Sequence, residues 1–151
     1  MSVISLASGQ SAYRGYEYFK AKKVIHLEEA GDGTLVGRVF GSGEKCYDVT
    51  VDIAHPRKSH CNCPHADGKR IVCKHMVAVY FTAFPDEARK YITDLESYWE
   101  EEETCQQEMA EQLLRYVNKM KKSELQQALL QLLFDGPEWQ YNRFIEENLG
   151  D

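Results

Sequence analysis

No apolar run in this chain of 151 residues is long enough to cross a bilayer, which takes about 20 consecutive residues. The stretch from Met1 to Ala7 is too short to hold the apolar region of a secretory leader. Both absences point to a reducing, cytoplasmic setting. Disulfides are rare there, so five cysteines read as metal ligands plus two spares, Cys46 and Cys105. Met1 reads as a natural start, and the chain is either complete or the front end of a longer protein. The sequence also lacks a phosphate-cradling glycine loop, a nucleophile elbow and an HExxH-like metal pair with an open position. The glycines between Gly31 and Gly43 punctuate hairpins instead. These gaps argue against an enzyme.

A strong basic surplus is missing too, since the net charge is −6. The charge is unevenly spread. Residues 1–80 hold eleven Lys/Arg against eight Asp/Glu, a balance of +3, while residues 81–151 hold seven against sixteen, a balance of −9. The first part is mildly basic. The second is distinctly acidic and would be repelled by phosphate unless it faces away.

What the chain does have is Cys61-Asn62-Cys63, nine residues, then Cys73-Lys74-His75. Three thiols and an imidazole suit four-coordinate Zn²⁺, which prefers sulfur and nitrogen donors at roughly 2.0–2.3 Å, and a closed shell of four is the structural arrangement. A single residue separates the ligands of each pair, so a short extended or turn segment aims both at one point. A closed quartet leaves no metal position for water, and it makes metal binding a better account of Cys61 and Cys63 than thiol redox cycling. His65, two residues after Cys63, offers a substitute ligand that the complete quartet does not need. His60 and His65 otherwise read as exposed loop residues, and His26, which interrupts the first strand, as a surface or packing histidine.

CxC followed by CxH is a narrow pattern, and with it the chain resembles the SWIM zinc finger family. The resemblance extends to Val36-Gly37-Arg38-Val39-Phe40-Gly41-Ser42-Gly43 and Tyr47-Asp48-Val49-Thr50-Val51, where the family carries a β-meander. It continues into Cys73-Lys74-His75-Met76-Val77-Ala78-Val79, where the family continues into an apolar helix. It covers roughly Ala12 to Phe84. The resemblance implies a zinc-binding module that contacts DNA or protein, with a helicase of the Snf family as one such partner.

The remaining signals place these motifs on elements. Tyr13, Tyr16, Phe19 and Lys20 recur at helical spacing after Ser8, a candidate N-cap, and predict a helix over about 9–22. Strands are expected at Val24–Glu28, Thr34–Phe40 and Cys46–Ile53, with short glycine turns that favour an antiparallel meander. Pro56 breaks the third strand. Only Lys74 is charged between Val72 and Phe84, which predicts a mostly buried helix. Cys73 and His75 then fall at its first turn, where free N–H groups and the helix dipole favour thiolate. An acceptor outside the ligand shell is expected to orient the other nitrogen of His75.

A helix should run from Pro85 to about Trp99, and Glu100–Glu103 reads as a solvated helix face or linker. Met109, Leu113, Val117 and Met120 recur at helical spacing. Ser123 with Gln126 fits a capping box, and Asp135-Gly136-Pro137 separates two further helices. The stripe Leu125, Ala128, Leu129, Leu132 and Leu133 reads first as core and second as a docking face. The expected fold class is α+β: an N-terminal helix, a three-stranded antiparallel β-meander and a zinc finger with an apolar helix over residues 1–84, then an all-α tail over 85–151.

Two functions fit. In one, the finger contacts DNA through Arg57, Lys58, Lys69, Arg70 and Lys74, which crowd around the ligands. Those residues serve equally well as plain solubilising charges. In the other, the domain is a protein-binding adaptor with a purely structural zinc. No membrane partner is expected.

Overall fold

The computed structural model describes residues 2–43 and 45–149; Met1, the expected start, lies outside them. The chain divides into two compact units, Met1–Ser97 and Tyr98–Asp151.

The first unit is α+β, as the sequence predicts. Helices α1 (Val3–Leu6) and α2 (Gly9–Lys20) precede strands β1 (Val24–Ala30), β2 (Thr34–Phe40) and β3 (Cys46–Asp52). A 3₁₀ turn at Pro56–Lys58 leads into the two-residue strand β4 (His60–Cys61), and α3 (Lys74–Ala83) follows. The sheet has four strands in the order β1-β2-β3-β4, every neighbouring pair antiparallel. The expectation of three strands is thereby corrected. Two residues are too few to show an alternating pattern; β4 forms because the Pro56 turn folds the chain back and pairs Cys61 with Val49.

Ser8 caps α2 as expected, its hydroxyl accepting from the Ser11 N–H at 3.2 Å. Helix α1 carries no signal in the sequence: four residues show no period, and it is pinned by Val3, which is buried.

Alternation on β2 and β3 turns Leu35, Val39, Val49 and Val51 inward and leaves Val36, Arg38 and Phe40 exposed. Helix α3 covers that inner face and packs against α2 as well. Every residue from Val72 to Phe81 except Lys74 is buried, which explains a helix apolar on all sides. Two glycines permit the close approach. A Cβ at Gly15 on α2 would meet Val77 Cβ at 2.4 Å, and one at Gly37 on β2 would meet Val79 Cγ2 at 2.9 Å. Phe81 sits among Tyr16, Phe19 and Tyr91, the last with ring centres 5.4 Å away.

Helix α4 spans Pro85–Val117, well past the expected end near Trp99. Glu100–Glu103 therefore lie within the helix as a solvated face, because nothing in that run breaks it. Helices α5 (Lys122–Asp135) and α6 (Glu138–Leu149) are divided at Gly136-Pro137, as predicted, and pack as a hairpin. Two expectations fail here. The capping box at Ser123 and Gln126 is absent; α5 starts at Lys122, and Glu124 accepts from the Lys121 N–H at 2.7 Å. The leucine stripe is not core. Only Leu133 is buried among the described residues of the second unit, while Leu129, Leu130 and Leu132 are exposed to 45, 51 and 63%. Its described helices are too few to enclose an apolar interior. No helix among the described residues is long and apolar enough to cross a membrane.

Candidate metal centre

Three elements deliver the ligands. Cys61 ends β4, hydrogen-bonded to the sheet; Cys63 opens the loop that follows; Cys73 is the N-cap residue of α3 and His75 stands in its first turn. The spacer Asn62 holds this geometry. Its side-chain oxygen accepts from the Asp48 N–H at 3.0 Å, and its own N–H donates to Asp48 O at 3.3 Å. Buried Ser59 does the same one turn earlier, accepting from the Asp52 N–H at 3.1 Å. At the front of the chain, Ala7 bridges to Val72 and so ties the N-terminus to the approach to Cys73. The sequence alone gives Asn62 and Ser59 no distinguishing mark, since their roles come from the sheet register.

The four side chains converge. One donor atom each from Cys61, Cys63, Cys73 and His75 lies within 4.8 Å of the others, and all four residues are buried. His75 Nδ1 stands 3.7 Å from Cys61 Sγ and 3.9 Å from Cys73 Sγ. Sulfur and nitrogen donors on one tetrahedral zinc are about 3.6 Å apart, so the spacing fits a shared ion. The quartet is positioned to bind a metal, and its donor set is that of Zn²⁺.

The imidazole is fixed by aromatic rings. Tyr47 stacks on it with centres 4.6 Å apart, and Tyr18 meets it edge-on at 5.4 Å. The expected acceptor for the second nitrogen is not found: Nε2 is buried and has no hydrogen-bond partner among the described residues. Packing, rather than a hydrogen-bonding oxygen, sets the ring.

The thiols are prepared for metal. A hydrogen bond from Cys61, aided by His75 and the Met76 N–H at the start of α3, holds the Cys73 thiol down at about 4 against the opposing effect of burial. The same bond and burial push Cys61 well up. Metal binding takes both sulfurs as thiolates and so displaces the proton that this environment favours on Cys61. With three thiolates, Zn²⁺ leaves a net charge of −1. Arg14 and Lys74 line a pocket of about 290 Å³ that reaches Cys63, Cys73 and His75, and they offset that charge.

The basic candidates fall into separate places. Arg57, Lys58 and Arg70 line one cleft of about 720 Å³, floored by Leu6 and Val72. Lys74 is not in it; its ammonium donates to the Tyr18 hydroxyl at 2.8 Å and sits 4.4 Å over that ring. Lys69 is exposed in the loop. His55, His60 and His65 are exposed, and so are Cys46 and Cys105.

The SWIM zinc finger family model matches residues 47–84 of the chain, a span that holds all four ligands. No curated protein and no solved structure matches.

Proposed function

We propose that the first unit is a non-catalytic, zinc-stapled module that grips the backbone of nucleic acid, DNA in the first instance. The ion ties the end of β4 and its loop to the start of α3, and thus holds the adjoining cleft in shape. The observation that carries the reading is the convergence of Arg57, Lys58 and Arg70 on that cleft, with no acidic residue in its lining among the described residues. Guanidinium groups present planar forks that match phosphate oxygens. The net charge of −6 does not oppose this, because the acidic surplus belongs to residues 81–151. A helicase-linked or regulatory system in the cytoplasm is the context in which such a module would serve.

Binding to duplex and single-stranded DNA across a salt series tests the reading. Affinity should fall steeply with salt, and Arg57→Glu with Arg70→Glu should flatten the slope by about one for each phosphate that the protein no longer neutralises. Binding that is absent, or that ignores both salt and these substitutions, would refute it.

A second reading, a protein adaptor, is supported by the apolar side chains left bare on α5 and α6. Leu132, Phe134 and Trp139 are all more than half exposed. A partner protein, a helicase among them, would cover that surface.

A further inference from the structure

Building on the nucleic-acid reading of the cleft at Arg57, Lys58 and Arg70, we propose that the cavity beside the metal centre is a second phosphate subsite for the same strand, formed by Arg14 and Lys74. The arginines of the chain fall into two sets. Arg38, Arg89, Arg115 and Arg143 each pair with a carboxylate, that of Asp48, Asp86, Glu111 and Glu147 in turn. Arg14, Arg57 and Arg70 have no ion pair among the described residues, and these three line the two cavities next to the finger. No Asp or Glu lines either cavity among the described residues. The cavities border consecutive stretches of the same two segments. Leu6 lines the first, and Gln10, Ser11 and Arg14 line the second; Arg70 and Val72 line the first, and Cys73 and Lys74 the second. The Ala7–Val72 bridge ties the two segments where one cavity gives way to the other, so one strand can serve both.

Both cations have donors to spare. Arg14 is exposed and makes no hydrogen bond among the described residues, so its whole guanidinium fork is open to phosphate oxygens. Lys74 stands between the ligands Cys73 and His75, so the metal staple fixes its backbone. A lysine ammonium has three donors. One of them goes to the Tyr18 hydroxyl at 2.8 Å, which aims the group and leaves the others free. Lys23 gathers at the same place. Its ammonium and that of Lys74 each sit 4.4 Å from the centre of the Tyr18 ring, and neither has an ion pair among the described residues. Like charges held together cost free energy until an anion joins them. The zinc-loaded quartet supplies one negative charge, while Arg14, Lys23 and Lys74 supply three positive ones. The surplus of positive charge is what a phosphodiester relieves.

The salt dependence of binding counts neutralised phosphates. With single-stranded oligothymidylate and the zinc-loaded full chain, Arg14→Gln should lower the slope of log affinity against log salt by about 0.7, the share of one phosphate on a single strand. Arg14→Lys should keep the slope. Arg143→Gln removes the same charge from an arginine already paired with Glu147, and should leave the slope unchanged. Because Arg14 is exposed, Arg14→Gln should keep its zinc and its thermal midpoint, which separates a lost contact from a lost fold. Length gives a second readout. Affinity for oligothymidylates of increasing length should level off at a shorter length in Arg14→Gln than in the unsubstituted protein. A zinc-loaded Arg14→Gln protein whose slope and length dependence match those of the unsubstituted protein would overturn the second subsite, and so would equal effects from Arg14→Gln and Arg143→Gln. If Arg57→Glu with Arg70→Glu still flattened the slope, the cleft would stand without it. Absence of salt-dependent binding in the unsubstituted protein would remove cleft and subsite together.

Discussion

The two units use similar apolar content to opposite effect. In Met1–Ser97 the large apolar side chains of the central helix disappear from solvent: Phe81, Met76, Val77 and Val79 are fully buried. In Tyr98–Asp151 the leucines and aromatics stay on the surface, and Leu133 alone is buried among the described residues. The difference is one of partners within the fold. Helix α3 has a sheet on one side and α2 on another, while α5 and α6 pair as a hairpin and face no sheet. Helical periodicity is present in both, so periodicity reports a face and says nothing about what meets it.

Metal removal should separate the two units most sharply. Structural zinc contributes about 10–16 kcal/mol of apparent binding free energy in small fingers, and here it links the sheet edge to the helix that fills the core. Chelation, Cys61→Ser or His75→Ala should abolish amide-exchange protection in β3, β4 and α3. The helical signal of α5 and α6 should persist. Equal loss in both units, or an unchanged thermal midpoint after chelation, would contradict the staple. Acid should act in the same direction. Zinc takes thiolate, and the hydrogen bond with Cys73 together with burial favours the protonated form of Cys61, so that proton must leave on binding. Zinc affinity measured by competition should therefore fall as pH is lowered, by about tenfold per unit for each proton displaced.

Core truncation gives the next contrast. Phe81→Ala removes a fully buried ring touching Tyr16, Phe19 and Tyr91, and should cost about 3–5 kcal/mol in denaturant unfolding. Gly15→Ala should cost about 1–3 kcal/mol by the reverse route, overpacking, because the new methyl would lie 2.4 Å from Val77 Cβ. A neutral result at Gly15 would mean that α2 and α3 are free to move apart.

How much of the fold and the site is legible in the sequence depends on range. The ligand quartet is readable because tetrahedral coordination demands donor types at short spacing, and Cys61, Cys63, Cys73 and His75 do converge. The meander is readable because Val49 and Val51 alternate with polar residues and glycines close both turns. Strand β4 is not, because its pairing with β3 is imposed by the fold-back at Pro56 and not by its own two residues. Gly15 and Gly37 carry no local signal for close packing; the need arises only once α3 lies on both α2 and the sheet. The leucine stripe misleads because an apolar face is the same pattern whether it is buried by the chain or left for another surface.

The smallest expected effect tests that last point most cleanly. Leu132 is 63% exposed on α5, so truncating it removes little buried area and leaves no cavity. Leu132→Ala should change unfolding free energy by no more than about 0.5 kcal/mol, the range of ordinary surface substitutions. Leu133, its neighbour, is buried, and Leu133→Ala should cost about 2–5 kcal/mol of local stability if its site collapses no better than a core site. The pair is adjacent in sequence and identical in chemistry, so the contrast isolates burial from composition and helix propensity. A large loss at Leu132 would mean that the stripe is covered in solution, by a second copy or another protein, and the same measurement repeated at several protein concentrations distinguishes these: a loss that grows with concentration requires self-association.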